Sequence, residues 1–199
     1  MAIEAVKRTS GQGTGKESRV SQFISDISVI RERARKHVAD GAVTSSYGAD
    51  RQVVLRLLNE ALATEIVCVL RYRRHYFMAK GAVGEVVKKE LLQHAQEEQA
   101  HADLIANRIV QLGGEPDFNP DGIAERSHAE YIEGSTLGEM VKEDLVAERI
   151  AIESYSEMIR FIGEADPTTR RMLEGILAVE EEHADELASM LETLSGNRA

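Results

Sequence analysis

Two stretches of the sequence carry the same polar hexad. "EEQAHAD" begins at Glu97 and "EEEHAD" at Glu180, and both contain Glu-x-x-His-Ala-Asp: Glu98, His101, Asp103, then Glu180, His183, Asp185. The repeat extends beyond the hexad. Glu65 is followed seven residues later by Tyr72, and Glu148 seven residues later by Tyr155. The offset is 83 residues between the lone glutamates and 82 between the histidines. On a helix, Glu and His three residues apart share a face. A glutamate 33 or 32 residues earlier, across a tight hairpin, reaches the same height on the antiparallel neighbour. Two hairpins thus offer Glu65, Glu98, His101, Glu148, Glu180 and His183, four carboxylates and two imidazoles. The flanking residues are apolar, Leu62, Ile66 and Val69 around Glu65, and Leu145, Val146, Ile150 and Ile152 around Glu148. Carboxylates in such surroundings are costly unless a cation compensates them. Carboxylate oxygen and imidazole nitrogen suit iron or manganese, and helix bundles hold a pair of such ions with this donor set. A lone Glu-x-x-His is usually a solvated surface pair and a lone helical tyrosine usually core. The joint pattern at matched offsets decides for the metal site.

The elements that must position these residues are helical. Apolar residues recur at helical spacing over four long segments, about Ala49–Ala79, Glu85–Leu112, Thr136–Ile162 and Pro167–Leu194. "KGAVG" (Lys80–Gly84) breaks the first from the second, and "GEADP" the third from the fourth, with Pro167 suited to a first turn. Short connections predict antiparallel hairpins. Between the second and third segments, Gly113 to Ser135 form a long crossover that lets the third helix run parallel to the second. "PDGIAERSHAEY" within it can form a short helix. Nothing alternates with period two. The expected fold is all-α, an antiparallel four-helix bundle over residues 49–199. Before it, residues 1–17 read as a flexible polar tail and residues 18–48 as an accessory helix and linker. Val20, Phe23, Ile24, Ile27, Ile30, Ala34 and Val38 form the accessory helix's stripe, and Gly41 its stop.

Composition agrees. The chain has 199 residues, of which 43% are hydrophobic, enough to bury one core. A single cysteine, Cys68, excludes an intramolecular disulfide and fits a reducing compartment. The first twenty residues have no apolar segment of the secretory type, and no run of about 18 apolar residues exists to span a membrane, so a cytoplasmic protein is expected. The net charge of −10 is uneven: residues 1–40 carry eight Lys/Arg against five Asp/Glu, a net of +3, leaving −13 on the rest. An acidic body attracts cations and argues against general nucleic-acid binding.

"LNEALATE" ending at Glu65, "RY" at Arg71–Tyr72, "EEQAHAD", "EDLVAE" ending at Glu148 and "VEEEHAD" together resemble the ferritin-like superfamily, and the bacterioferritins most closely, from about Val54 to Leu194. The resemblance implies a ferroxidase centre that oxidises Fe²⁺ with oxygen or peroxide. Glu65 and His101 would hold one iron, Glu148 and His183 the other, and Glu98 and Glu180 would bridge both. Tyr72 would act beside the site as electron donor or hydrogen-bond partner. Bacterioferritins hold haem through a methionine directly after the first Glu-x-x-His glutamate. Here that residue is Gln99, so no haem is expected by that route. Cages of 24 subunits use a fifth helix, and only sixteen residues follow His183. The basic tail and the short crossover helix are more similar to Dps mini-ferritins. A twelve-subunit, Dps-like homo-oligomeric shell with a bacterioferritin-like intrasubunit site is therefore expected. Tyr155, repeating Tyr72, is similar to the symmetric tyrosines of rubrerythrins, which reduce peroxide, although the Cys-x-x-Cys pairs of a rubredoxin domain are absent.

Other residues carry weaker readings. Asp103 and Asp185, two residues past the histidines, read as surface or interhelical partners. Cys68 reads as a small buried hydrophobe, or as a thiol near enough to be oxidised by products of the site. His94 and Glu97 read as an exposed pair, or as a route or third site for iron. "RYRRH" (Arg71–His75) reads as a basic patch pairing with acidic neighbours in an oligomer. Lys7, Arg8, Lys16 and Arg19 in the tail give only +2 over twenty residues, weak for DNA. Three functions stay distinct: a ferroxidase for iron storage or detoxification and oxidative-stress protection, a di-iron peroxidase without storage, and a helical DNA-protecting protein.

Overall fold

The computed structural model describes residues 26–196. The chain divides into two compact units, residues 1–45 and 46–199. In the first, helix α1 spans Ile27–Lys36, with Asp26 capping its start by accepting from Ser28 N at 2.7 Å. It ends at His37, and a single 3-10 turn, Val38–Asp40, follows before Gly41. The accessory helix is thus shorter at its C-terminal end than its apolar spacing predicts. Val20, Phe23, Ile24 and the expected tail of residues 1–17 lie outside the described residues.

The second unit contains α2 (Arg51–Met78), α3 (Gly81–Gln111), the short α4 (Ile123–Arg126), α5 (Leu137–Ile162) and α6 (Pro167–Gly196). No strand occurs among the described residues. Three of these helices start on side-chain caps. Asp50 accepts from the Gln52 and Val53 amides to open α2. Thr136 and Glu139 form a reciprocal capping box on α5. Asp166 accepts from Thr169 N at 2.9 Å beside Pro167 at the head of α6.

Only Ala79 and Lys80 separate α2 from α3. Gly81 takes φ +85°, a left-handed conformation that favours glycine, and α3 starts there. The "KGAVG" break is therefore narrower than read from sequence: one glycine makes the turn and the rest join the helix. Within four-helix geometry the two hairpins, α2/α3 and α5/α6, pack α2 on α5 and α3 on α6. Late α2 meets early α5 through Arg71 and Asp144, while Glu65 meets the later Tyr155, so α2 and α5 are antiparallel. It follows that α3 and α5 run the same way, and the crossover of residues 113–136 makes this possible. That crossover is fixed to α2 by Thr64 Oγ1, which accepts from His128 N at 2.9 Å, and by Asn59 Oδ1, which accepts from Asp117 N at 2.8 Å. Leu58, Leu62, Leu91, Ile105, Ile109, Leu173, Ile176 and Leu187 are fully buried along the axis. Each stabilises the bundle by about 1.5–3 kcal/mol relative to exposure. Among the described residues no helix is long and apolar enough to cross a membrane.

Candidate metal centre

The six residues singled out by the repeat converge in the middle of this core. Glu65, Glu98, Glu148, Glu180, His101 and His183 are all at most 5% exposed. They fall into two overlapping sets, Glu65–Glu98–His101–Glu180 and Glu98–Glu148–Glu180–His183, each offering ligand atoms within 4.8 Å of one another. Glu98 and Glu180 belong to both. His101 Nδ1 lies 3.0 Å from Glu180, 3.5 Å from Glu65 and 3.8 Å from Glu98. His183 Nδ1 lies 3.3 Å from Glu98, 3.6 Å from Glu180 and 4.0 Å from Glu148. Both imidazoles therefore aim Nδ1 inward.

The tyrosines cross between hairpins. Tyr72 on α2 donates to Glu148 Oε1 on α5, and Tyr155 on α5 donates to Glu65 Oε1 on α2. Each outer carboxylate thus has one oxygen fixed by the opposite hairpin and one left for another partner. Burial, with the neighbouring carboxylates, pushes both phenols well above their ordinary range, so they stay protonated donors.

The electrostatics bear on the fit of a cation. Glu65 is pushed up to about 8 by burial and by Glu98. Glu148 is likewise raised by burial, Glu98 and Glu180. Burial opposes the charged form of both histidines, yet carboxylates raise His101 to about 12, led by Glu180, and His183 to about 10, led by Glu180 and Glu98. The four carboxylates thus crowd negative charge that the two imidazoles only partly offset, while Glu98 and Glu180 themselves are lowered by their contacts with the histidines. A cation at the centre would offset that charge. Glu65 Oε2, Glu98 Oε1, both Glu180 oxygens and Nδ1 of both histidines are buried and crowd one another, yet none makes a well-aligned hydrogen bond, even His101 Nδ1 at 3.0 Å from Glu180. Oxygen and nitrogen donors, all aimed at one small volume, suit a pair of divalent transition ions.

Beyond these ligand atoms the two halves differ. His183 Nε2 lies 2.8 Å from Glu97, a contact that holds a proton on Nε2 and keeps Nδ1 turned to the carboxylates. His94 stacks on His183 with ring centroids 4.0 Å apart, and its Nε2 lies 2.9 Å from Glu186. On the same side Asp144, wholly buried, accepts from Arg71 Nε at 2.9 Å and pairs with His75 Nδ1 at 2.8 Å. Arg71 also donates to the Glu130 carbonyl at 2.9 Å, tying in the crossover. His101, by contrast, borders a cavity of about 670 Å³ lined mainly by Leu104, Pro167, Met172, Ile176 and Val179.

Several sequence readings change here. His94 is not half of an exposed pair. It is fully buried, while Glu97 is partly exposed. Its position was readable, because four residues before Glu98 and seven before His101 is the same inward face. Arg71 and His75 are not a surface patch for an oligomer, since both are buried on Asp144 of the same chain. Asp144 had no signal in the repeat, because its counterpart one repeat away is Ala61. Asp103 and Asp185 are exposed, away from the ligand atoms. Cys68 is 3% exposed, with Arg71 Nη2 at 3.7 Å from its sulfur. Gln99 is exposed and donates to Asp103.

Residues 55–197 match the ferritin-like domain family model. Bacterioferritin of Mycobacterium avium is 32% identical over 142 residues, covering 71% of this chain and 85% of that protein. The DNA protection during starvation protein of Pyrococcus furiosus is 30% identical over 139 residues, covering 68% and 75%. The solved dodecameric thioferritin of Bacteroides fragilis, a bacterioferritin-related protein, superposes with a TM-score of 0.73 at 31% identity, covering 76% of this chain and 91% of that one.

Proposed function

We propose a function from this premise: the chain belongs to the ferritin-like domain family, and its buried centre oxidises Fe²⁺ as a ferroxidase in iron storage and detoxification. The observation that carries the reading is the pair of four-residue sets sharing Glu98 and Glu180, with donor atoms buried together and without well-aligned hydrogen bonds. Two Fe²⁺ ions are the substrate. Glu65 and His101 hold one, Glu148 and His183 the other, and Glu98 and Glu180 bridge them. Each Fe²⁺ gives up one electron. Hydrogen peroxide accepts two electrons and two protons and leaves as two waters, or dioxygen accepts two electrons and two protons and leaves as hydrogen peroxide. The bridging carboxylates keep the ions close enough to deliver both electrons to one oxidant. Tyr72 and Tyr155 hold Glu148 and Glu65 in place. Manganese fits the same donors.

Storage requires a shell. The outer faces of the bundle carry exposed apolar side chains, among them Leu70, Phe77, Val86, Val146 and Phe161. Such faces suit burial against further copies. Together with the dodecameric relative, this supports a twelve-subunit assembly. The symmetric tyrosines support a second reading, peroxide reduction without storage. A DNA-protecting role, suggested by the name of the Pyrococcus relative, would fall to the basic N-terminal residues.

Anaerobic titration with Fe²⁺, followed by oxygen or peroxide, on protein of measured native mass tests the proposal. Saturation near two Fe²⁺ per subunit, then oxidation and retention of many more ions by a hollow assembly, is expected. Oxidation without retention selects the peroxidase reading. No saturable Fe²⁺ binding excludes both. A salt-dependent gel shift lost on removing residues 1–17 would add DNA binding.

A further inference from the structure

Outside the paired centre, Glu90, His94 and Glu186 bring one ligand atom each to within 4.8 Å of one another. His94 is wholly buried, whereas Glu90 and Glu186 are partly exposed. The group therefore spans from solvent to the interior. It also abuts the centre: the His94 ring stacks on His183, and Glu97, beside both, sits on His183 Nε2.

The repeat supplies an internal control. Stepping 82 residues along the chain replaces Glu90, His94 and Glu97 by Met172, Ile176 and Val179, and stepping back replaces Glu186 by Leu104. All four of those residues line the apolar cavity beside His101. The same bundle positions thus accept apolar side chains. The polar quartet on the His183 side is therefore not demanded by the architecture. One imidazole nitrogen and two carboxylates form a donor set for a divalent transition ion and neutralise its charge. With no ion, His94 Nε2 points at Glu186, the direction that the ion would occupy.

We propose that Glu90, His94 and Glu186 form a third cation site, from which divalent transition ions pass by Glu97 into the His183 half of the paired centre. The delivery role rests on the paired-centre reading; the binding site does not. An ion captured at the partly exposed carboxylates sheds water in stages, first to His94 and then past Glu97, instead of entering the buried cluster in one costly step.

Calorimetric titration of the full-length chain with Co²⁺ under anaerobic conditions tests both parts. The wild type binds three ions per subunit. Glu186→Gln, a nearly isosteric change at a partly exposed position, removes one and leaves two. Glu90→Gln weakens the same ion by about tenfold or more. Glu98→Gln, which alters a carboxylate shared by both halves of the pair, keeps the third ion. Delivery appears as a rise of about tenfold in the Fe²⁺ concentration that half-saturates oxidation by Glu186→Gln, with an unchanged limiting rate. Two ions in both wild type and Glu186→Gln would overturn the third site and leave the paired centre standing. One ion in the wild type, absent from Glu186→Gln and present in Glu98→Gln, would uphold the third site and defeat the paired centre.

Discussion

The two halves of the centre share a ligand pattern and little else. Around His101 stand Glu65, the phenol of Tyr155 and an apolar cavity. Around His183 stand Glu148, the phenol of Tyr72, and an outer layer of Glu97, His94, Glu186, Arg71, His75 and Asp144. One repeat away, Arg71, His75 and Asp144 become Ser154, Met158 and Ala61. The difference teaches which features belong to the donor pattern and which belong to handling ions and oxidant. A symmetric inner cluster needs only four carboxylates and two imidazoles. A polar flank on one side suits cations and an apolar one suits a small uncharged oxidant.

The largest break in this comparison is Asp144→Ala. It leaves the Arg71 guanidinium, 1% exposed, without its counter-charge. Destabilisation of about 3–5 kcal/mol is expected, read as a lowered denaturant midpoint at fixed protein concentration. Converting the whole trio to its repeat counterparts, Arg71→Ser, His75→Met and Asp144→Ala together, should cost less than Asp144→Ala alone, because no charge is then stranded. If the triple variant is the weaker one, the trio holds the crossover in place and is more than a compensated charge.

Next is Glu180→Ala, which strikes both halves at once. Fe²⁺ oxidation should fall by more than about 100-fold, beyond the ~10–100-fold typical of groups that only support a ligand. Glu98→Ala should match it. Glu65→Ala and Glu148→Ala should each remove one ion and leave the other measurable by Co²⁺ titration. Equal loss of both ions from either outer variant would show that the halves cannot fill separately.

The inner half of this picture was legible in the sequence and the outer half was not, for a physical reason. Spacings of three and seven residues report one helix face, and an 82–83 residue offset reports a repeated hairpin, so the six residues that converge in the core could be listed from local rules. Which tyrosine holds which glutamate is a contact between hairpins, and no spacing encodes that Tyr72 reaches Glu148 instead of Glu65. Asp144 fails to repeat, so a search for symmetry passes over it. "RYRRH" contains three buried residues, Arg71, Tyr72 and His75, and one exposed one, Arg73, because helical periodicity divides a charged run between core and surface. The crossover helix was legible as "PDGIAERSHAEY", though only Ile123–Arg126 are helical.

A smaller effect separates the two imidazoles. Glu97→Ala removes the group that fixes the His183 tautomer, and affinity for one of the two paired ions should fall about 10–100-fold, while the His101 ion is spared. Val179→Glu places a carboxylate at the equivalent position beside His101. It should tighten the His101 ion while closing off the apolar cavity with a charge. Co²⁺ titration reads the first change and stopped-flow oxidation the second. Slower oxidation with tighter binding would assign the cavity to the oxidant. Faster oxidation would mean that the oxidant comes by another path.

The smallest expected effect lies at Gly175, on the cavity wall. Its repeat counterpart is Gln93, which donates to Glu97, so even this glycine follows the polar-to-apolar contrast. A Cβ at Gly175 would meet nothing within 4 Å. Gly175→Ala should therefore stabilise α6 by about 0.5–1 kcal/mol through helix propensity alone, with metal binding and oxidation unchanged. Gly175→Leu extends the same backbone gain but projects a side chain into the space bordering His101. If that space carries the oxidant, the Leu variant keeps its Co²⁺ stoichiometry and its raised unfolding midpoint, yet oxidises bound Fe²⁺ more slowly than the Ala variant. Equal oxidation rates in the two variants would reduce the cavity to a packing feature and leave the asymmetry of the centre to the cation side alone.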